Sequence, residues 1–280
     1  MKQHRRWQRY AVAGAAGVTL IAIAAFVATS VAAIERDRPT ELVAILGQSN
    51  AWGAGLPMDS SDVADEQIQQ FVGSGEYQQT VQAAYDPLIG HSPAIGVGPG
   101  IQFAEELHTA TGNPVLLVPA SEGSTGFAPY NGMSWDPANT TDENLFDYAV
   151  SQINAALALD GNYRLSAIIW VQGENDTTRM DAPSYSDAFD RLLDGLRAEF
   201  DDTPVIVGSM TPDWIAEDPG TRAVIDDVHR AAATRYENVT YVEGPAGMHN
   251  PGETIHYSAA GQAEQGRRMF NAYATLTELR

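Results

Sequence analysis

Short apolar runs alternate with amphipathic stretches along most of this 280-residue chain. The apolar runs contain no charged residue, which is typical of strands buried on both faces of a parallel sheet. They predict strands at 42–46, 115–119, 165–171, 205–209 and 239–242. The stretches with helical periodicity predict helices at 101–110, 143–159, 185–200, 223–236 and 259–276. Five strands alternating with helices predict an α/β fold, with a parallel sheet covered on both faces.

One predicted connection is unusually long. About fifty residues, 50–100, separate the first strand from its helix, and they are rich in Gly, Pro, Gln and Tyr. Loops of this length inside a domain are usually functional. We expect this segment to line a substrate cleft next to the first strand, and the alternative is an insertion far from the site.

The N-terminus has the pattern of an export signal. Residues 1–10 carry Lys2, Arg5, Arg6 and Arg9, and residues 11–33 are uncharged and mostly apolar. Basic residues followed by an apolar stretch long enough to cross a bilayer predict a signal peptide or an uncleaved membrane anchor over 1–33. A linker over 34–40 and a catalytic domain over 41–280 follow. The domain is then expected to be exported, either secreted or anchored at the outer face of the cytoplasmic membrane.

The charge balance limits the classes of partner. The chain has 16 basic and 36 acidic residues and a net charge of −20. Such a surface repels nucleic acid, and it repels anionic membranes, so only the N-terminal segment is expected to contact a membrane. The sequence has no cysteine, which excludes disulfides, a thiolate nucleophile and a thiolate metal site. The oligomeric state is left open.

The candidate chemistry starts at the sequence Gly-Gln-Ser-Asn, residues 47–50, directly after the first strand. Open α/β sheets build their sites at the carboxyl ends of strands, so Ser49 is the candidate nucleophile. A serine hydroxyl needs a base, and the base needs a third group to orient it. His256, before the last predicted helix, is the candidate base. Glu253, three residues earlier, is the candidate acid, with Asp176 as the alternative.

Acyl transfer also needs preorganised donors for the developing oxyanion. The candidates are the backbone N–H groups of Ser49 and Gly123 and the side-chain amide of Gln172, just past the third strand. The alternative is structural: Gly123 permits a turn and Gln172 fills a polar pocket.

Three motifs carry a resemblance to a known family. Gly-Gln-Ser-Asn at 47–50, Trp-x-Gln-Gly-Glu-x-Asp at 170–176, and a carboxylate three residues before histidine with Tyr-Ser-Ala-Ala-Gly at 257–261 resemble the sialate O-acetylesterase and acetylxylan esterase group of the SGNH hydrolase superfamily. Val-Gly-Pro-Gly at 97–100 and Gly-Ser-Thr at 123–125, with a tryptophan beyond, add to a likeness that extends over 41–275.

The resemblance implies a flavodoxin-like three-layer α/β/α sandwich and a carbohydrate O-acetylesterase that needs no cofactor and no metal. It implies that Ser49 is the nucleophile, His256 the base and Glu253 the acid, with Ser49, Gly123 and Gln172 forming the oxyanion hole. The family usually has aspartate at the acid position, where this chain has glutamate. Five residues in or near the motifs are expected to contact an acetylated xylan or a sialic acid-like sugar: Gln48, Asn50, Trp52, Trp135 and Glu174.

Other readings of the same residues remain open. Glu174 and Asp176 are candidates for a glycosidase carboxylate pair, and His249, Glu253 and His256 for metal ligands. A protein that only binds carbohydrate is a further possibility, with a sugar-stacking platform made of Trp52, Tyr77, Tyr130 and Trp135. Lipases and thioesterases of the same superfamily share this machinery, although the polar and aromatic 50–100 segment favours a sugar with a short acyl group.

Overall fold

The computed structural model describes residues 38–58, 65–140 and 143–279. The predicted signal or anchor over 1–33 lies outside these ranges, as does most of the predicted linker over 34–40. No helix within the described ranges is long and apolar enough to cross a membrane.

Sixteen helices and strands follow one another along these ranges. They are β1 (Thr40–Gly47), α1 (Ser49–Trp52), β2 (Ile68–Phe71), β3 (Val81–Ala83), α2 (Gly100–Thr111), β4 (Val115–Pro119), β5 (Met133–Ser134), β6 (Glu143–Asn144), α3 (Leu145–Leu157), β7 (Tyr163–Val171), α4 (Ala182–Phe200), β8 (Val205–Gly208), α5 (Pro212–Glu217), α6 (Pro219–Arg235), β9 (Val239–Val242) and α7 (Ala259–Leu276). The five predicted strands and five predicted helices are all present, and their ends shift by at most a few residues.

The main sheet has seven strands in the order β3-β2-β4-β1-β7-β8-β9. Every neighbouring pair is parallel except β2 and β3, which form an antiparallel pair at one edge. The predicted α/β class is therefore confirmed, but the prediction of five strands was wrong by two. Both additional strands come from the long 50–100 connection. They escaped detection because Ile68–Phe71 carries two glutamines in four residues and has no clear apolar period.

Helices cover both faces of the sheet. Alternate residues of β1 point to opposite sides, so Leu42, Ala44 and Leu46 pack against α3, α4 and α6. Val43 and Ile45 pack against α2 and α7 on the other face. This is the expected three-layer sandwich, and it directs the carboxyl ends of β1, β4, β7 and β8 toward a common edge.

Candidate active site

Ser49 lies at a sharp turn between β1 and the single-turn helix α1. Gly47 has a φ of 125°, and a Cβ atom there would lie 2.0 Å from the carbonyl oxygen of Val171, so only glycine fits. The backbone N–H of Gln48 then donates to that same carbonyl oxygen at 2.9 Å. The turn holds Ser49 at the first position of α1, where its N–H has no hydrogen-bond partner among the described residues.

The structure brings together the serine, histidine and glutamate that the sequence singled out. His256 Nε2 lies 3.0 Å from Ser49 Oγ, although the two residues are 207 positions apart. His256 Nδ1 lies 2.8 Å from Glu253 Oε1. Each distance is within hydrogen-bond range, and the order is hydroxyl, imidazole, carboxylate. The arrangement can move a proton from the hydroxyl to the imidazole while the carboxylate stabilises the charge that results.

Asn250 fixes the carboxylate of Glu253. Its Nδ2 donates to Glu253 Oε1 at 2.9 Å and to the carbonyl oxygen of Ala54 at 2.9 Å. Partial burial alone would raise the pKa of Glu253, but the hydrogen bonds from Asn250 and His256 outweigh it and lower the pKa. Glu253 is therefore ionised at neutral pH. Sequence reasoning missed Asn250, because an asparagine in a loop gives no signal that distinguishes it from a turn residue.

Asn50 has a different place from the one predicted. Its side chain was expected to contact substrate, but the residue is completely buried. Nδ2 donates to Glu174 Oε1 at 2.7 Å and to the carbonyl oxygen of Ile255 at 3.0 Å, and Oδ1 accepts from the N–H of Tyr257 at 3.1 Å. Asn50 thus forms hydrogen bonds with the residues on either side of His256. It positions the imidazole and does not reach the cleft.

Gln172 is also placed differently. Its side chain is completely buried, and Nε2 lies 2.9 Å from Asp176 Oδ2, 3.2 Å from Gln48 Oε1 and 3.4 Å from the carbonyl oxygen of Thr125. Oε1 accepts from the hydroxyl of Tyr185 at 2.7 Å. The two amide protons are directed at protein acceptors, so the expectation that Gln172 donates to an oxyanion was wrong.

Asp176 is part of the same buried network. Its carboxylate accepts from the N–H groups of Phe127 at 2.8 Å and Ala128 at 3.0 Å, in addition to Gln172. Burial raises the pKa of Asp176 against the effect of these donors. Both oxygens of Asp176 thus hold the 121–130 loop through hydrogen bonds. The carboxylate that contacts the His256 imidazole is that of Glu253. Asp176 is therefore not the acid of this arrangement.

Gln48 takes part in the same network through its side-chain oxygen. Its Oε1 accepts from the N–H of Asn175 at 3.1 Å, from Gln172 Nε2 at 3.2 Å and from the N–H of Gly173 at 3.4 Å. These donors fix the oxygen and direct the nitrogen away from them. Within the described part of the chain, Gln48 Nε2 has no hydrogen-bond partner. It is available as a donor one residue before Ser49.

Two further residues predicted to contact substrate are buried. Trp135 has no exposed surface; its Nε1 donates to Thr125 Oγ1 at 2.9 Å, and its ring packs edge-on against Trp170. Glu174 is 5 % exposed, and burial raises the pKa of its carboxyl group. Both expectations were wrong, because each side chain is enclosed by the protein. Burial also removes Glu174 as one of two glycosidase carboxylates that would flank a sugar ring.

Trp52 remains at the edge of the site. Its Nε1 donates to the carbonyl oxygen of Ser92 at 3.1 Å, and its ring packs against Gly123. A Cβ atom on Gly123 would lie 3.2 Å from that ring, so the glycine permits the close approach. Part of the 50–100 segment therefore contacts the loop that carries Gly123. This part of the segment lies beside the site, as predicted. The strands β2 and β3 of the same segment extend the main sheet.

The arrangement does not suit a metal site. Within the described ranges, no group of three His, Cys, Asp or Glu side chains is placed to hold a metal ion. Both ring nitrogens of His256 face Ser49 and Glu253, and His249 Nδ1 lies 3.0 Å from the carbonyl oxygen of Asn250. Glu253 also lines a groove of about 460 Å³, together with residues that include Trp214 and His249.

A charged cluster supports the loop that carries Gly123. His91 Nδ1 lies 3.0 Å from Glu122 Oε2, and Nε2 lies 2.6 Å from Glu143 Oε1. The hydrogen bond to Glu122 raises the pKa of His91 to about 9, against the opposing effect of burial, and Glu143 adds to the rise. His91 is therefore protonated at neutral pH and bridges two carboxylates, one of them next to Gly123.

This bridge predicts a pH-dependent stability. The pKa of His91 rises from 6.5 to about 9 on folding, so its contribution is complete below pH 6.5 and is lost as the pH rises to about 9. We expect His91→Gln to lower the free energy of unfolding at about pH 6 and to have little effect at about pH 10. Denaturant unfolding of both proteins across this range measures the difference. A constant difference at all pH values would contradict the assignment.

Fold and side-chain geometry together are those of a serine-dependent ester hydrolase on an open α/β sheet. A family model described as carbohydrate esterase, sialic acid-specific acetylesterase, matches residues 39–275. The chain belongs to this family.

Individual relatives are more distant. The chain is 25% identical over 195 residues to a protein of Escherichia coli (strain K12) named as a probable 9-O-acetyl-N-acetylneuraminic acid deacetylase. That match covers 56% of this chain and 60% of the relative, less than two thirds of its length. Among solved structures, NanS has a TM-score of 0.70 at 18% identity, covering 87% of this chain and 99% of its own. A protein from Arabidopsis thaliana has a TM-score of 0.68 at 21% identity, covering 85% and 98%. These two likenesses show the fold.

Proposed function

We propose that the protein removes O-acetyl groups from carbohydrates through an acetyl-enzyme formed on Ser49. The observation that carries this proposal is the hydrogen-bonded series of Ser49, His256 and Glu253, in a chain that belongs to a carbohydrate esterase family. The chemistry needs no group besides the protein's own side chains and water.

Acylation begins with the 3.0 Å contact between Ser49 Oγ and His256 Nε2. The imidazole takes the hydroxyl proton as Oγ attacks the carbonyl carbon of the acetyl ester. A tetrahedral intermediate forms, with negative charge on the former carbonyl oxygen. Glu253, ionised and held by Asn250, stabilises the imidazolium during this step.

The oxyanion requires donors that are already in place. The N–H of Ser49 at the start of α1 is one. The N–H of Gly123 on the neighbouring loop, which also contacts the Glu122 carboxylate, is the proposed second donor. Gln48 Nε2 is the third, in place of Gln172, because its oxygen is anchored and its nitrogen is unused. Donors fixed before the reaction stabilise the developing charge without further reorganisation.

Three further proton transfers through His256 complete the reaction. His256 gives its proton to the sugar oxygen, the bond between that oxygen and the acetyl carbon breaks, and the deacetylated sugar leaves. A water molecule then loses a proton to His256 and attacks the acetyl carbon of the acetyl-enzyme. When the bond between that carbon and Ser49 Oγ breaks, His256 returns the proton to Oγ, acetic acid leaves and Ser49 is restored. One imidazole thus serves as base and then as acid in each half of the reaction.

An O-acetylated sialic acid is the substrate that we propose first. The family description and the name of the Escherichia coli relative support it. The purified protein should release acetate from 9-O-acetylated sialic acid and from a chromogenic acetate, and acetylated xylan serves as the comparison. A folded protein that hydrolyses none of the three would contradict the proposal. A preference for acetylated xylan would contradict the proposed sugar and leave the proposed reaction unchanged. A non-catalytic carbohydrate-binding protein would not label with a serine-directed phosphonate, and a lipase or thioesterase would prefer a longer acyl chain.

We also propose that the catalytic domain is exported, secreted or attached to the outer face of the cytoplasmic membrane. The basic residues before position 11 and the uncharged stretch over 11–33 support this. An acetylated sugar outside the cell would then be its substrate. Fractionation of cells that produce the full chain would locate the activity.

A further inference from the structure

Arg179 differs from the other arginines of the described domain. Nine arginines lie between residues 164 and 268, and eight of them form an ion pair with a carboxylate. Arg179 forms none with any described residue, although the chain has 36 acidic residues. The charge of Arg179 opposes the rise in the pKa of Asp176, but the exposed guanidinium forms no ion pair with that carboxylate and is available for a ligand.

The guanidinium is nevertheless held in a fixed orientation. Arg179 Nη1 donates to the carbonyl oxygen of Asn175 at 3.1 Å and also to Asn175 Oδ1. Its Cζ lies 4.2 Å from the centroid of the exposed Tyr130 ring, in a cation–π contact. These contacts use one terminal nitrogen and one face of the group. The edge formed by Nε and Nη2 has no acceptor among the described residues, and such an edge binds a carboxylate through two parallel hydrogen bonds.

Arg179 belongs to the rim of the candidate active site. It lies on the loop that follows β7, at the edge of the sheet where Ser49 also lies. The N–H of Asn175 donates to Gln48 Oε1 at 3.1 Å, so the residue that holds the guanidinium also contacts the residue before Ser49. On the other side, Asp176 holds the segment that leads to Tyr130 through the N–H of Ala128 at 3.0 Å.

We infer that Arg179 binds the carboxylate of an acidic sugar while the acetyl ester of that sugar lies at Ser49. The inference rests on the proposed esterase function and adds a residue that selects the substrate. The ligand chemistry is a carboxylate on a pyranose ring, which a sialic acid and a uronic acid share. Against the repulsion between an acidic protein and an anionic sugar, one fixed guanidinium provides local attraction and orientation.

The test compares Arg179→Gln with the unchanged protein on matched substrates. For 9-O-acetylated sialic acid we expect kcat/KM to fall by about 10- to 100-fold, mainly through KM, because a charge-assisted bidentate contact is lost. For the methyl ester of the same sugar, and for a chromogenic acetate, we expect no change. Arg179→Lys keeps the positive charge, so its kcat/KM for 9-O-acetylated sialic acid should lie between those of the unchanged protein and the Arg179→Gln protein. Arg235→Gln is the control, since Arg235 is exposed and pairs with Asp190 on α4.

A second substrate separates the two sources of carboxylate. Arg179→Gln is also assayed on an acetylated xylo-oligosaccharide that bears a uronic acid, where kcat/KM could fall while staying unchanged on sialic acid. That result would support the carboxylate site at Arg179 and identify its ligand as the uronic acid. An equal loss on the free acid and its methyl ester would overturn the inference, as would no loss on either acidic sugar.

Binding is measured independently of turnover. Calorimetry with free sialic acid and free glucuronic acid should show weaker binding to the Arg179→Gln protein and unchanged binding of their methyl esters. If the chromogenic acetate is not hydrolysed by the unchanged protein, the proposed function fails, while calorimetry still decides whether Arg179 binds a carboxylate. Equal binding to both proteins would overturn the role of Arg179 alone.

Discussion

Replacing Ser49 by alanine should lower kcat for acetyl ester hydrolysis by about 10⁶-fold, the loss typical when the nucleophile of a serine hydrolase is removed. The hydroxyl is the group that forms the bond to the acetyl carbon, and the remaining donors and imidazole cannot replace it. The unfolding curve should stay close to that of the unchanged protein, because the substitution removes one hydrogen bond at a partly accessible position.

Labelling provides a second measure of the same prediction. A serine-directed phosphonate should modify the unchanged protein and should not modify the Ser49→Ala protein. Ser151→Ala is the control: that hydroxyl is exposed on α3 and donates to the carbonyl oxygen of Tyr148 in its own helix. If the folded Ser49→Ala protein keeps most of its activity, the acetyl-enzyme mechanism is wrong.

Glu253→Gln should lower kcat by about 10²- to 10⁴-fold, because the change removes the negative charge that stabilises the imidazolium. The upper end of this range applies when the amide selects the wrong imidazole tautomer. Asn250 Nδ2 donates to the oxygen that faces His256 and so favours the correct orientation of a glutamine at 253. Glu253→Asp should be milder, since it keeps the charge on a shorter side chain.

Asp176→Asn is the matched control for this prediction. Asp176 accepts from two backbone N–H groups and from Gln172, so an amide nitrogen there would face donors. We expect a lower free energy of unfolding and a nearly unchanged kcat per folded molecule. If Asp176→Asn is inactive while folded, and Glu253→Gln is nearly as active as the unchanged protein, the acid has been assigned to the wrong residue.

The central strands could be predicted because their sequences leave little choice. The run at 115–119 is wholly apolar and lies between polar segments, and the strand has those same bounds in the structure. Burial on both faces selects such sequences whatever lies around them. The edge strand Ile68–Phe71 carries no such pattern, and it forms a strand only because β4 is there to pair with it.

The site shows a different limit of sequence reasoning. Ser49, His256 and Glu253 are named by motif and spacing, and the structure brings them together. Asn50, Gln172 and Trp135 lie in or near the same motifs, yet their side chains are enclosed. A polar residue beside a nucleophile has the same appearance in a sequence whether it binds substrate or holds a loop. Only the direction of its hydrogen bonds distinguishes the two, and that depends on residues up to 212 positions away.

The separation of the nucleophile from its base has a consequence for biosynthesis. Ser49 follows the first strand, whereas His256 lies in the loop before the last helix, α7. Helix α7 packs against α2 through Phe270 and Phe103. A nascent or trimmed chain that lacks this final segment carries an unactivated hydroxyl. We therefore expect hydrolysis to begin only once the loop that carries His256 is in place beside Ser49. The appearance of activity during refolding should report the completion of the whole domain, later than any spectroscopic signal from the central strands.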